Sequence, residues 1–521
     1  DSPHYGSATP SAISDNPPPV SQRASKNLKS LVTDKEYESS QRLDSYLKDI
    51  LAIHLQDKKI DLPEYRIGGL TKYSNVFLLG ENDYPIADIT VKPRENIKLT
   101  DDYIKAKTKD FSSIPGMKIY GVAHTPSYMV VSAVIPPEKL LKAASVRDVR
   151  QINAVAPKCG GPGKKAASSN RSTIASRGDA NNQAEEALEV DAAQRVFHFV
   201  AGSGINIGTL SDSVDQLNDV AGNGITGIDE SQDTGDLPAD NHITVLDDFT
   251  GANATDEGRA MMEHIYDLIP GVNMLGFATA FGGKANFANN IADLAANGME
   301  VINDDVVHPS EPFFQDGVVA EAVNTFVDDG GIYFALNHNF ANLSYENVWG
   351  NIDGNNYFDF DMTNPPDEVM QVTIQNNVTF NVGLQWTQEW GNATTDLNLE
   401  LWDSALENQL ENANTNNFGG NPFEYLSYEN DTGGRVTANL AIKYIPRNGD
   451  DPPGGLTLKF IAFNGPNAVS FDEYPAFRAG TLTPHAGTPK SISIGAAPFY
   501  DRNVAEDFSG HGPHRGFFDA A

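Results

Sequence analysis

The stretch Gly204-Ile205-Asn206-Ile207-Gly208-Thr209-Leu210-Ser211-Asp212-Ser213-Val214-Asp215 decides how the rest of the chain is read. It is a short apolar run that ends in a carboxylate and breaks into a polar loop. In an open α/β sheet, ligands and chemistry collect at the carboxyl ends of such strands. Beyond it, strands expected over 205–210, 243–246, 273–278, 300–303 and 331–336 alternate with helices expected over 256–268, 285–297 and 317–328. Alternation at this spacing predicts parallel βαβ units, an α/β class domain.

Around this core, further regions separate by composition. Residues 1–25 are rich in Pro and Ser and are expected to be disordered. Leu28, Leu31, Leu43, Tyr46, Leu47, Ile50 and Leu51 recur at helical spacing, which predicts helix over 26–60. A strand over 128–135, stopped by Pro136-Pro137, a helix over 138–144 and a strand over 149–152 suit a small α+β module within 26–156. Residues 157–182, opening with Lys158-Cys159-Gly160-Gly161-Pro162-Gly163-Lys164-Lys165, have the composition of an exposed linker that proteases nick. A helix over 184–197 leads into the opening strand. Over 368–464 the pattern changes to alternating apolar and polar residues with Asn, Gly and Asp turns, which predicts an inserted antiparallel β-sandwich. The α/β domain then comprises 183–367 and 465–521, and the latter carries a strand over 491–497.

Charge and cysteine content narrow the function. Lys plus Arg number 37 against 70 Asp plus Glu, a net charge of -33, which argues against a nucleic-acid partner. Such a surface suits a secreted or extracellular setting, where charge maintains solubility. The single cysteine, Cys159, allows no intrachain disulfide and reads as incidental. No apolar run is long enough to span a membrane. The start at Asp1 and the end at Phe517-Phe518-Asp519-Ala520-Ala521 carry neither signal-peptide nor capping signatures, so the chain reads as cut from a longer one.

Two carboxylates fall at one edge of the expected sheet. Asp212 ends the first strand, and Glu257 opens the helix in Thr255-Asp256-Glu257-Gly258-Arg259-Ala260-Met261-Met262-Glu263. Each alone has an ordinary explanation, Asp212 as a turn residue and Glu257 as an acid that complements the helix dipole. Their joint position makes a site. With Ile269-Pro270-Gly271, the run 331–339 ending Asn337-His338-Asn339, the strand over 491–497 and Phe508-Ser509-Gly510-His511-Gly512-Pro513, the order of motifs resembles the subtilisin-like serine peptidases and their sedolisin relatives. The resemblance covers 183–521 apart from the insert.

The resemblance implies a serine-type endopeptidase with a subtilisin-like parallel sheet, acting on protein or peptide substrates. Asp212 falls on the family's acidic triad position and is expected to form the acid–base pair with Glu257. Glu257 falls where subtilisins carry a catalytic His, and the sedolisin branch uses a Glu there. That branch has an Asp one turn later, where this chain has Met261. Asn339 falls on the oxyanion position. Asp304 and Asp305 fall near the substrate-binding strand, and one of them is expected to line the site or assist the Glu. The N-terminal region is similar to inhibitory propeptides, so the chain's own 26–156 is an expected intramolecular inhibitor. The family's nucleophile sits in a Gly-Thr-Ser motif, and no Gly-Thr-Ser occurs in this sequence. The nucleophilic Ser is therefore expected beyond Ala521. No cofactor is assigned, although Asp/Asn-rich loops such as 350–361 are compatible with structural calcium. A second reading stays open: a non-catalytic binding or surface protein on the same fold, motivated by the missing His and by Met261. A phosphate-binding enzyme is disfavoured, because Gly202-Ser203-Gly204 precedes its strand and opens no helix.

Overall fold

The computed structural model describes residues 24–60, 76–95, 97–159, 178, 183–197, 202–217, 224–251, 253–363, 366–447, 449–450 and 454–516. Most of the expected disordered stretch over 1–25 and of the linker over 157–182 lies outside them. Nineteen strands occur among the described residues. In chain order, β1 (Ile86–Val91), β2 (Lys118–His124), β3 (Met129–Val134) and β4 (Val149–Ala154) form the N-terminal module; β5 (Asn206–Ser211), β6 (Ile243–Asp247), β7 (Met274–Thr279), β8 (Val301–Asp304) and β9 (Ile332–Leu336) follow. Next come β10 (Ser344–Val348), β11 (Met370–Ile374), β12 (Val378–Trp386), β13 (Leu397–Asp403), β14 (Gln409–Ala413), β15 (Phe423–Asn430), β16 (Val436–Tyr444), β17 (Thr457–Ala462), β18 (Val469–Phe471) and β19 (Ile492–Ile494).

The expected alternation forms one six-stranded parallel sheet, in the order β19-β9-β8-β5-β7-β6. The opening stretch is therefore an interior strand, bonded on one side to β7 and on the other to β8, with Gly208 paired to both Gly276 and Ile302. Leu210, Leu275, Phe277 and Ile302 are fully buried, which is why this segment reads as a continuous apolar run. Because β5, β7 and β8 run in parallel, Asp212 and Asp305 come out at the same edge.

The N-terminal module is a four-stranded antiparallel sheet in the order β2-β3-β1-β4. Helix over 26–60 is not continuous. It breaks into Leu28–Leu31, Asp34–Ser40 and Ser45–Ile60, because Thr33 starts a new helix with a full capping box to Glu36. The helix expected over 184–197 is likewise two, Ala184–Ala187 and Val190–Phe197; Glu189 between them stands at φ +56°.

This module is welded to the α/β domain at one helix end. Helix Lys284–Ala296 begins after Gly283, which has no side chain to cap it. Its free N–H groups are taken by residues from the other sheet. Lys284 N donates to Asp88 Oδ1 at 3.2 Å, and Ala285 N donates to Ser132 Oγ at 3.0 Å. Asp88 and Ser132 sit opposite one another on β1 and β3. Gly121 of β2 lies so close that a Cβ there would stand 2.6 Å from the Asn286 nitrogen. A buried helix N-terminus left without such acceptors would be costly, so the two sheets need each other.

The region expected as an inserted sandwich holds two antiparallel sheets, β10-β17-β12-β15 and β14-β13-β16-β11-β18, which share one apolar core. Its strands run over 344–471, wider than the 368–464 expected. β10 was missed because Glu346 interrupts it. That carboxylate is taken up by Arg515 at 3.0 Å and Lys459 at 3.9 Å. The sandwich also touches the N-terminal module, where Asn421 Nδ2 donates to Thr90 Oγ1 at 3.1 Å and to Asn153 Oδ1 at 2.9 Å.

Replacing Asp88 by Ala should remove the cap across the two sheets and cost about 0.5–2 kcal/mol. Urea denaturation should show an earlier midpoint; an unchanged midpoint would mean that the helix end is satisfied some other way.

Candidate functional site

The site is built where the loop after β5 meets the helix Glu257–Leu268. Asp212 is 1% exposed. Its Oδ2 accepts from the N–H of Thr255 and from Thr255 Oγ1 at 2.6 Å, and its Oδ1 accepts from the N–H of Glu257 at 3.0 Å. The next residue repeats the arrangement. Ser213 Oγ accepts from Asp256 N at 2.8 Å, and the Ser213 carbonyl accepts from Gly258 N at 3.1 Å. Four donors of the helix start are thus held by two consecutive residues of one loop.

Asp256, the residue before the helix, is in the left-handed region at φ +54°. It holds that conformation because its carboxylate is fully engaged, accepting from Ser213 Oγ at 2.9 Å, Gln216 N at 2.9 Å and Leu217 N at 2.9 Å, with Arg259 at 3.6 Å. Gly258 lies against Ser213 and Phe277, and a Cβ there would stand 2.3 Å from the Phe277 ring. Glycine after Glu257 is thus required by the approach of the helix to β7.

The structure brings Asp212 and Glu257 together, but the hydrogen bonds run from Glu257's backbone to Asp212. The side chain of Glu257 meets Asp305 instead. A Glu257 carboxylate oxygen, an Asp305 carboxylate oxygen and the Cys159 sulfur all lie within 4.8 Å of one another. Asp305 follows β8 and is 7% exposed. Burial pushes its carboxyl well above the usual range, and the Glu257 charge pushes it further, while the Ser211 hydroxyl offsets part of this. With Asp305 buried and Glu257 half-buried, each carboxylate charge disfavours ionisation of the other.

Asp304 and Asp305, equivalent in sequence, have different surroundings. Asp304 Oδ1 lies 3.4 Å from Nε2 of His485, whose Nδ1 is 2.8 Å from Glu311. All three are buried. Burial disfavours the imidazolium, but Glu311 and Asp304 outweigh it and raise His485 to about 10. Asp304 is thus half of an internal ion network beneath the sheet edge, and Asp305 is the member that faces the site.

Asn339 lies half-buried on the turn leaving β9, at the same sheet edge but beyond β8 from β5. His338 before it stands at φ +50°, stacked on Phe340 with ring centres 5.1 Å apart. Burial and the neighbouring His485 lower its pKa to about 3, so its ring is neutral.

Cys159 is the residue that sequence reasoning set aside. It enters the site because the chain before it is bridged to the loop just past β8. Lys158 runs antiparallel to Val307, with N–H···O bonds of 2.8 Å and 2.9 Å in the two directions. Burial pushes the Cys159 thiol well up, and Asp305, Glu257 and Asp212 add to this, so the sulfur stays protonated. No local pattern announces a pairing between residues so far apart in the chain.

The Asp305 shift has a defined sign. The folded state keeps a proton that an unfolded Asp releases near about pH 3.9. Stability is therefore lost as pH rises above that value. Asp305→Asn removes this loss. Its thermal midpoint should exceed that of wild type by a margin that widens from about pH 5 to about pH 8. Parallel profiles over that range would contradict the protonated assignment.

No family model matches the chain, and no curated protein matches it. Among solved structures it is similar to the CspB protease of Clostridium perfringens, at 11% identity over 64% of this chain and 77% of that one, with a TM-score of 0.33. It is also similar to the epidermin leader peptide processing serine protease of Staphylococcus aureus, at 13% identity over 49% of this chain and 60% of that one, with a TM-score of 0.27.

Proposed function

We propose that the chain belongs to a serine-type endopeptidase of the subtilisin/sedolisin kind, in which Glu257 is the general base. In this reading Asp305 shares its proton, Asp212 fixes the helix that carries it, and the nucleophilic Ser is supplied by residues beyond Ala521. The observation that carries the proposal is the backbone pairing of Lys158 with Val307 beside the Glu257–Asp305 pair. A backbone bridged to the loop just past β8, with its next residue at a carboxyl pair, lies where an extended peptide substrate would be held.

The division of labour follows from the surroundings. Asp212 has its oxygens committed to the helix N-terminus, so it positions Glu257 rather than exchanging protons. Asp305, pushed toward its neutral form by burial and by the Glu257 charge, lies beside the Glu257 carboxylate and tunes its basicity. When a serine hydroxyl attacks a peptide carbonyl, Glu257 takes the hydroxyl proton and later returns it to the leaving amine. Asn339 is the residue assigned to the developing oxyanion. A glutamate has an ordinary pKa of about 4.3 against about 6.5 for histidine, so the working range lies on the acidic side of a His-based enzyme unless the shared proton raises the pair. The N-terminal module, with Cys159 beside Glu257 and Asp305, acts as an inhibitor of its own domain until the chain is cut within 157–182. The setting is extracellular.

The second reading, a binding protein on the same fold, is favoured by one observation: the Asp212 contacts are those of a helix anchor and would persist without catalysis. The two readings separate in an assay. A protein extended past Ala521 should hydrolyse peptides, and Glu257→Gln should lower kcat by about 10²–10⁴-fold. Full activity in Glu257→Gln, or none in the extended wild type after cleavage within 157–182, would contradict the peptidase reading.

A further inference from the structure

The connection between β10 and β11 holds a second cluster of carboxylates, remote in sequence from Asp212 and Glu257. Asn351, Asp353, Asn355, Tyr357 and Asp359 alternate along it, with oxygen-bearing side chains at every second position. Asn356 stands at φ +72°. This is the arrangement of an oxygen-lined calcium loop: Asp or Asn at positions one, three and five, a left-handed residue at six, a ligand through the backbone at seven and a carboxylate at nine. The twelfth position is Met362, which offers no oxygen ligand. A carboxylate arrives instead from Glu368, at the far end of the same connection.

The side chains converge. Carboxylate oxygens of Asp353, Asp359 and Glu368 lie within 4.8 Å of one another. Asp359 is 1% exposed. Its Oδ2 accepts from Ile352 N at 2.6 Å, while its buried Oδ1 has no hydrogen-bond partner. A buried carboxylate oxygen left without a donor is costly. The polar group set among the carboxylates is the amide of Asn355, whose Nδ2 donates to Asp353 Oδ2 at 2.9 Å and to Glu368 Oε1. Lys443, which reaches the loop through the Tyr357 ring at 5.0 Å, is directed to Glu400 at 4.0 Å. Burial raises the carboxyls of Asp359 and Glu368, and repulsion from Asp353 raises both further.

We infer that Asp353, Asp359 and Glu368 bind one calcium ion, with loop carbonyls, Asn side-chain oxygens and water completing the shell. The donors are all oxygen, which suits a hard cation, and the flexible loop suits the six to eight ligands of calcium better than the strict octahedron of magnesium. The ion would tie the start of the connection to its end. Between those ends, Phe358 and Phe360 are buried in the sandwich core, against Tyr345 at 6.0 Å and 5.1 Å. The site therefore clamps the segment that closes the sandwich, whatever the chemistry at Glu257.

The full chain, stripped with EGTA and titrated with CaCl2 by calorimetry, should bind at this site and gain thermal midpoint on binding. Asp353→Asn, at an exposed position, and Glu368→Gln should each weaken that binding by more than ~10-fold while circular dichroism shows the fold retained. The exposed control Glu407→Gln should bind as wild type does. Absence of binding and of a midpoint shift in the wild type would overturn the inference, and so would wild-type affinity in both Asp353→Asn and Glu368→Gln. Equal affinity for MgCl2 would overturn the assignment to calcium.

Discussion

The capture of one helix start by the residues that follow β5 is the constraint on which the site depends. An interior parallel strand ends in a carboxylate, and that carboxylate takes backbone N–H groups of the helix two connections later. Ser213 and Asp256 lock the same turn from either side. Because the helix cannot rotate or slide without losing several buried hydrogen bonds, the side chain of Glu257 is held against the end of β8. The position of Asp305 follows from sheet register, since Leu210 and Asp304 are paired neighbours. The carboxyl pair is thus a product of strand register on one side and helix capping on the other.

The same device appears a second time. The helix after β7 cannot cap itself, and Asp88 and Ser132 of the N-terminal module supply the acceptors. The module is therefore positioned by backbone groups of the α/β domain, and the chain leaving it is led to Val307, just past β8. The sandwich adds polar contacts from Asn421 to the other side of the module. Lys158 and Cys159 reach the end of β8 because contacts with the α/β domain and with Asn421 fix the body from which they extend.

Much of this was legible in the sequence because it is local. The apolar run at 205–210, the acid after it and the short polar opening of the Glu257 helix are patterns within a dozen residues, and the parallel sheet follows from their alternation. Asp304 and Asp305 could be named but not separated, since what distinguishes them is His485, distant in the chain and buried beside one of them. Cys159 carried no signal of its own, because its place is set by a single pair of backbone hydrogen bonds across the fold. The sandwich edges were lost for a different reason. Strands such as β10 and β15 carry Glu346 and Glu424 at positions that the alternation rule reads as breaks, and in the folded protein the first is half-buried and the second buried.

Burial and the nearby Glu257 charge both favour a protonated Asp305 carboxyl. Infrared difference spectroscopy between wild type and Asp305→Asn at about pH 7 reads this directly, because a protonated carboxyl has a C=O stretch that a carboxylate lacks. The account predicts that the substitution removes a protonated-carboxyl band. Loss of carboxylate bands alone, with no change in the protonated region, would contradict it.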